Sequence, residues 1–275
     1  MTLKKRNRLF FVFFLISLAF SLVYLGMYIY ASVAGKIIPI NNFIRPISLF
    51  VNNKLFSYSF AASIIGISIF IIYVPIVMFV LFSGFEKTQS IEIIYFSGFV
   101  LACLAESLRI TLPLSGLWQT YSSLFLLAGR VVYTGRILAS ISFLFAAIFN
   151  GSEQRQNVER NYLILLVVSL MLGIILPLDT SRILSTCIMH CGFNGLFNVI
   201  RFILFLTTLA TIVINAVTKD SSELKENAVG YVALMIGYEL LQKTDNYMTL
   251  IIATLFFAIG NVLYLRSIHT MYMWQ

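Results

Sequence analysis

Six ionisable side chains stand inside stretches of this sequence that are otherwise apolar enough to lie in a lipid bilayer: Glu106, Arg109, Arg130, Arg136, Arg201 and Glu239. A charge held in hydrocarbon is costly, so each is a candidate functional residue by default. Glu106 and Arg109 are three residues apart, which on a helix puts them on one face as an ion pair. Four arginines against two glutamates leave two positive charges after pairing. Guanidinium groups present planar, forked donors that match carboxylate and phosphate oxygens. The six residues therefore predict an electropositive cavity for an anionic, zwitterionic or lipid-like ligand. The competing reading is structural: an arginine near a helix end commonly carries its head to the interface and needs no ligand.

A second cluster, Cys187-Ile188-Met189-His190-Cys191, offers soft ligands. On a helix, Cys187, His190 and Cys191 would share a face, and such a set suits Cu(I). The run is also apolar enough to be packing, and no second ligand cluster accompanies it. The expectation is no metal and no cofactor. Catalytic patterns are absent as well: no Walker loop, nucleophile elbow or His-Glu-x-x-His motif occurs. His190 and His269 are the only histidines, and Asp179, Asp220 and Asp245 all fall in expected loops. Nothing in the sequence recommends an enzyme.

The elements that must position these residues follow from composition. Of 275 residues, 60% are hydrophobic and 11% charged, far below the roughly 25% charged of a soluble domain. The formal charge of +8 is no nucleic-acid footprint, because the basic residues sit at the ends of apolar runs instead of forming a stripe. They orient helices in a membrane. A span needs about 20 mainly apolar residues. The runs are 9–34, 57–82, 91–112, about 122–150, 162–178, 195–218, 228–241 and 247–265. They predict an all-α, polytopic transmembrane bundle of eight spans, forming a single membrane domain. Seven is the alternative count if the short, Glu239-bearing run does not cross.

The Lys4-Lys5-Arg6-Asn7-Arg8 cluster places the N-terminus in the cytoplasm, and an even span count brings the C-terminus there too. The apolar run from Leu9 is too long for a secretory signal and reads as an uncleaved first span in a multi-pass cell-membrane protein. On the cytoplasmic side this topology collects about ten Lys or Arg, against five outside: Lys36, Arg45, Lys54, Arg182 and Lys243. Polar runs at Gly151–Asn157 and Lys219–Glu223 mark loops, Pro113 and Pro177 mark helix ends, and Pro75 lies within the second span.

All six intramembrane charges then lie in the outer half, which leaves the inner half almost wholly apolar. The expected function is a ligand-binding or sensing membrane module whose signal a cytoplasmic partner would read. The alternative is a small transporter or lipid-handling permease, which would need polar groups towards the cytoplasmic half. A membrane-embedded enzyme ranks third.

Overall fold

The structure, a computed structural model, describes residues 3–39, 43–44, 56–88, 90–118, 122–149, 157–218 and 222–273. The expected loop residues Arg45, Lys54, 151–156 and 219–221 lie outside this set. Its main elements are long helices: α1 (Leu3–Val33), α2 (Phe60–Gly84), α3 (Ile91–Ser107), the single turn α4 (Ser115–Trp118), α5 (Ser122–Ile148), α6 (Val158–Ile175), α7 (Asn194–Thr218), α8 (Ser222–Gln242) and α9 (Tyr247–Met273). Three strands accompany them: β1 (Phe43–Ile44), β2 (Leu178–Leu184) and β3 (Ile188–Cys191).

Among the described residues, seven helices are long and apolar enough to cross a membrane: α1, α2, α3 with its continuation to Thr111, α5, α6, α7 and α9. Side chains such as Leu22, Leu163, Phe202 and Val262 on α1, α6, α7 and α9 stay exposed on the outside of the bundle, where lipid would cover them. The helix boundaries lie near the expected ones with instructive differences. α8 starts at Ser222, six residues before its apolar run, and α9 continues eight residues past the expected end at 265. The polar start of α8 keeps it below the apolarity of the other spans. At 21 residues, however, α8 is about 31 Å long and traverses the bundle beside α9.

Successive helices alternate between two ends. At one end, Lys5 pairs with Glu159 at the start of α6, and Tyr272 of α9 reaches Glu92 at the start of α3. The start of α1 and the end of α9 therefore lie at this end, as eight long helices alternating between the ends require. The other end is closed by the small sheet. There Ser59 caps α2, donating its amide to the Asp245 carbonyl in the α8–α9 turn, and Asn246 caps α9 by accepting from Thr249 N at 2.8 Å.

Close approach of α8 and α9 rests on glycine. A β-carbon at Gly230 would lie 2.8 Å from the Tyr264 backbone nitrogen, and at Gly237 or Gly260 it would strike the backbone of Phe257 or Leu234. Small residues at such positions let helix backbones meet directly, the packing mode that works without a hydrophobic driving force. Ala62 and Gly66 of α2, spaced as a small-residue face, are buried; Gly66 packs on the Thr244 side chain, 3.5 Å from where its β-carbon would be.

The sheet is the part of the fold absent from the expected architecture. β2 and β3 form an antiparallel hairpin with a bulge between Asp179 and Ile183, and β1 lies parallel to β2. Cys187 ends the hairpin turn, its amide bonded to the Leu184 carbonyl at 3.1 Å and its backbone in the left-handed region at φ 60°. The helical-face arrangement of Cys187, His190 and Cys191 is thus corrected: one is in a turn and two are in a strand, where successive side chains alternate faces. Among the described residues no group of three His, Cys, Asp or Glu could hold a metal ion.

Candidate functional site

The hairpin docks into the bundle instead of lying on it. Ser185, Thr186 and Cys187 are buried. The Ser63 hydroxyl of α2 donates to the Ser185 carbonyl, the Ser185 hydroxyl donates to Asp245 Oδ2 at 3.0 Å, and Tyr133 of α5 donates to the Met189 carbonyl at 2.8 Å. Burial of this hairpin turn against Ala31, Ile67 and Ile71 pushes the Cys187 thiol up to about 12. At the exposed base, the Ser181 hydroxyl and amide donate to Asp179 and hold its carboxyl below the usual carboxylate range.

Beneath the tip lies the first charged centre. Glu106, one residue from the end of α3, is fully buried. Its Oε1 accepts from Arg136 Nε at 2.7 Å, and its Oε2 accepts from Arg109 at 3.2 Å and from the second Arg136 nitrogen at 3.3 Å. Arg109 uses its Nε on the Thr186 carbonyl at 2.8 Å, which ties the carboxylate to the hairpin tip. One terminal nitrogen of Arg109 is buried with no hydrogen-bond partner among the described residues. Arg136 also lies over the Tyr133 ring, 5.4 Å from its centre. The i, i+3 pair expected from the sequence is present, but Glu106 serves two arginines. Arg136 is fifteenth of 27 residues in α5, mid-helix and not near its start.

The second centre joins α7 and α8. Arg201 pairs with Glu239, and Lys243, just beyond α8, stands 3.6 Å from the other Glu239 oxygen. Arg201 is only 6% exposed, packs over Phe197, and has its Nε buried with no hydrogen-bond partner among the described residues. Arg109, Arg136 and Arg201 thus do not carry their heads to the interface; they are buried. Arg130 stays apart: its Nε is buried, and among the described residues its guanidinium forms no ion pair. Across the two centres, four cations (Arg109, Arg136, Arg201, Lys243) face two carboxylates. These two centres carry an excess of two positive charges; Arg130, counted in the expected set, is not among them, and Lys243, expected in a loop, is.

The buried Tyr238 hydroxyl, which has no hydrogen-bond partner among the described residues, lies behind the second centre on a small void that Glu239 also lines. A cleft of about 400 Å³ opens between α7 and α8 at the second centre, a size within the usual range of ligand sites. Asn198, Arg201, Glu239 and Lys243 line its polar part. Phe202, Phe205, Ile236 and Leu240 line the remainder. From Phe205 and Glu239 a small void of about 10 Å³ leads inward to Tyr238 and Ser140, the size of one water at most.

The opposite end holds what sequence reasoning missed. Glu92, in the first turn of α3, is 1% exposed and accepts from the Ser90 hydroxyl at 2.6 Å and the Tyr272 hydroxyl at 2.7 Å. Tyr264 packs on Phe96 of α3, ring centres 5.0 Å apart, and has a buried hydroxyl with no hydrogen-bond partner among the described residues. Arg6 is likewise buried and donates to the carbonyls of Phe85, Glu86 and Thr88, capping the C-terminus of α2. The expectation of an almost wholly apolar inner half is therefore corrected. A first-turn acid and an N-terminal arginine both sit where exposed, topology-setting charges are ordinary, so their types and positions carried no sign of burial. The one available signal was the Ser-x-Glu spacing before an apolar run.

No protein-family model, curated protein or solved structure matches this chain.

Proposed function

We propose that this chain is a membrane-embedded binding module that takes an anionic or zwitterionic ligand in the cleft between α7 and α8. The observation that carries this reading is Arg201: a buried guanidinium with an unpaired Nε on the wall of a 400 Å³ cleft. A buried donor left unsatisfied costs about 1–3 kcal/mol, more for a charged group, and an anionic oxygen would remove that cost. Glu239 pairs with a terminal nitrogen of Arg201 and leaves the Nε for such an oxygen. Ligand binding would draw Arg201 away from Glu239 and shift α7 against α5, which carries Arg136; Arg136 holds Glu106, whose other partner Arg109 grips the hairpin through Thr186. This path supports a sensing role in which cleft occupancy changes the hairpin.

The test is thermal unfolding in neutral detergent with and without dodecyl phosphate, a minimal anionic amphiphile. Wild-type protein is expected to be stabilised, with the shift lost in Arg201→Ala and retained in Arg130→Ala. Equal shifts in all three proteins would remove the cleft as the site.

A permease is the second reading, favoured by the Glu92, Ser90, Tyr272 and Tyr264 cluster at the opposite end. Buried polar groups at both ends are what a path through the bundle requires. Flux in proteoliposomes that fell in Glu92→Gln without loss of cleft binding would select it.

A further inference from the structure

Resting on the binding reading above, we propose that the ligand is an anionic phospholipid entering sideways from the bilayer. Its phosphate would lie between Arg201 and Lys243, and an acyl chain would run against Phe202, Phe205 and Ile236. Three observations converge on this occupant.

The first is the order of residues along the helices. α7 descends from the hairpin end and α8 rises to it, so Asn198 and Arg201 precede Phe205 in depth, just as Lys243 and Glu239 precede Ile236. Lys243 to Ile236 is about 10 Å of helix rise, enough to cross a headgroup layer of roughly 5–8 Å and reach the chains. On α7 the polar residues lie above the apolar ones, and on α8 Lys243 and Glu239 lie above Ile236 with Leu240 between them, a gradient that suits a phospholipid. A free inorganic anion would satisfy Arg201 and leave Phe202, Phe205, Ile236 and Leu240 without contacts.

The second is access. α7 packs chiefly on α5 and only lightly on α8, and Phe202 at the cleft is 60% exposed on the outer surface of the bundle. The cleft thus opens to where lipid lies. The third is charge. Arg201 and Lys243 against Glu239 leave one positive charge, which a phosphodiester with a neutral headgroup substituent balances and a zwitterionic headgroup does not.

The experiment is native mass spectrometry of the full chain in mild non-ionic detergent. It is titrated with phosphatidylglycerol, with phosphatidylcholine of the same acyl chains, or with glycerol 3-phosphate. One phosphatidylglycerol per chain is expected to bind about tenfold or more tighter than phosphatidylcholine, without competition from millimolar glycerol 3-phosphate. Arg201→Gln and Lys243→Gln should each weaken it about tenfold. Glu239→Gln should strengthen it, because the competing carboxylate is gone, an effect that lost folding would not produce. Lys243 is half exposed, so Lys243→Gln keeps the test decisive if Arg201→Gln misfolds. Equal affinity for both lipids, or no change in Lys243→Gln, overturns the proposal. Binding of glycerol 3-phosphate that depends on Arg201 overturns the lipid source alone and leaves the anion-binding reading standing; absence of all binding removes both.

Discussion

Replacing Glu106 by glutamine isolates the energy of the buried charged centre. The substitution keeps shape and some hydrogen bonding but leaves Arg109 and Arg136 buried around a neutral amide. Removing one partner of a buried ion pair typically costs about 3–5 kcal/mol, because the other charge stays in low dielectric uncompensated. Here two guanidiniums lose the same counter-charge at 2.7 and 3.2 Å, so the upper part of that range is expected. Glu106→Gln with Arg136→Gln leaves only one stranded cation, and its loss should fall short of the sum of the singles by about 1–3 kcal/mol. Reversible unfolding in mixed micelles of non-ionic detergent and dodecyl sulfate measures both. Hydrogen exchange at Leu184–Cys187 should rise in the single variant, since Arg109 also holds Thr186. A single variant within about 0.5 kcal/mol of wild type, or a strictly additive double variant, would refute the reasoning.

Gly237→Ala would press a methyl group into the Phe257 backbone and is expected to cost about 1–3 kcal/mol, whereas Gly26→Ala, with open space around it, should be near neutral; the same unfolding assay reads both. Cys187, with its buried thiol held protonated at neutral pH, is expected to resist N-ethylmaleimide at pH 8 in the folded protein and to react once unfolded, as intact mass will show. Asp179 has a depressed carboxyl pKa, so its contribution is present above the unfolded value of about 3.9 and is lost as pH falls through the folded value. The Ser181 amide resonance should therefore shift only below about pH 3.9, and an Asp179→Asn protein should show no such transition.

Reading the sequence reached the helices wherever apolar runs marked them, because lipid imposes that pattern residue by residue. It stopped at features set by distant residues. Glu106 and Arg109 could be paired from their spacing, but Arg136 joins them from 30 positions away and Arg201 joins Glu239 from 38. The hairpin stayed hidden for a local reason: Leu178–Leu184 shows no alternation of apolar and polar residues, and the bulge between Asp179 and Ile183 breaks the register that alternation would need. Arg6 and Glu92 show the converse limit. Both have the composition of exposed helix-end charges, and only the packing of α1 on α2 and of α9 on α3 buries them.

The most direct test of the binding site is an experimental density map of the chain in nanodiscs containing phosphatidylglycerol. The account expects headgroup density within hydrogen-bond distance of Arg201 Nε and Lys243 Nζ, with a chain lying along Phe205 and Ile236. A cleft filled by its own side chains, with Arg201 Nε bonded to protein, would contradict it.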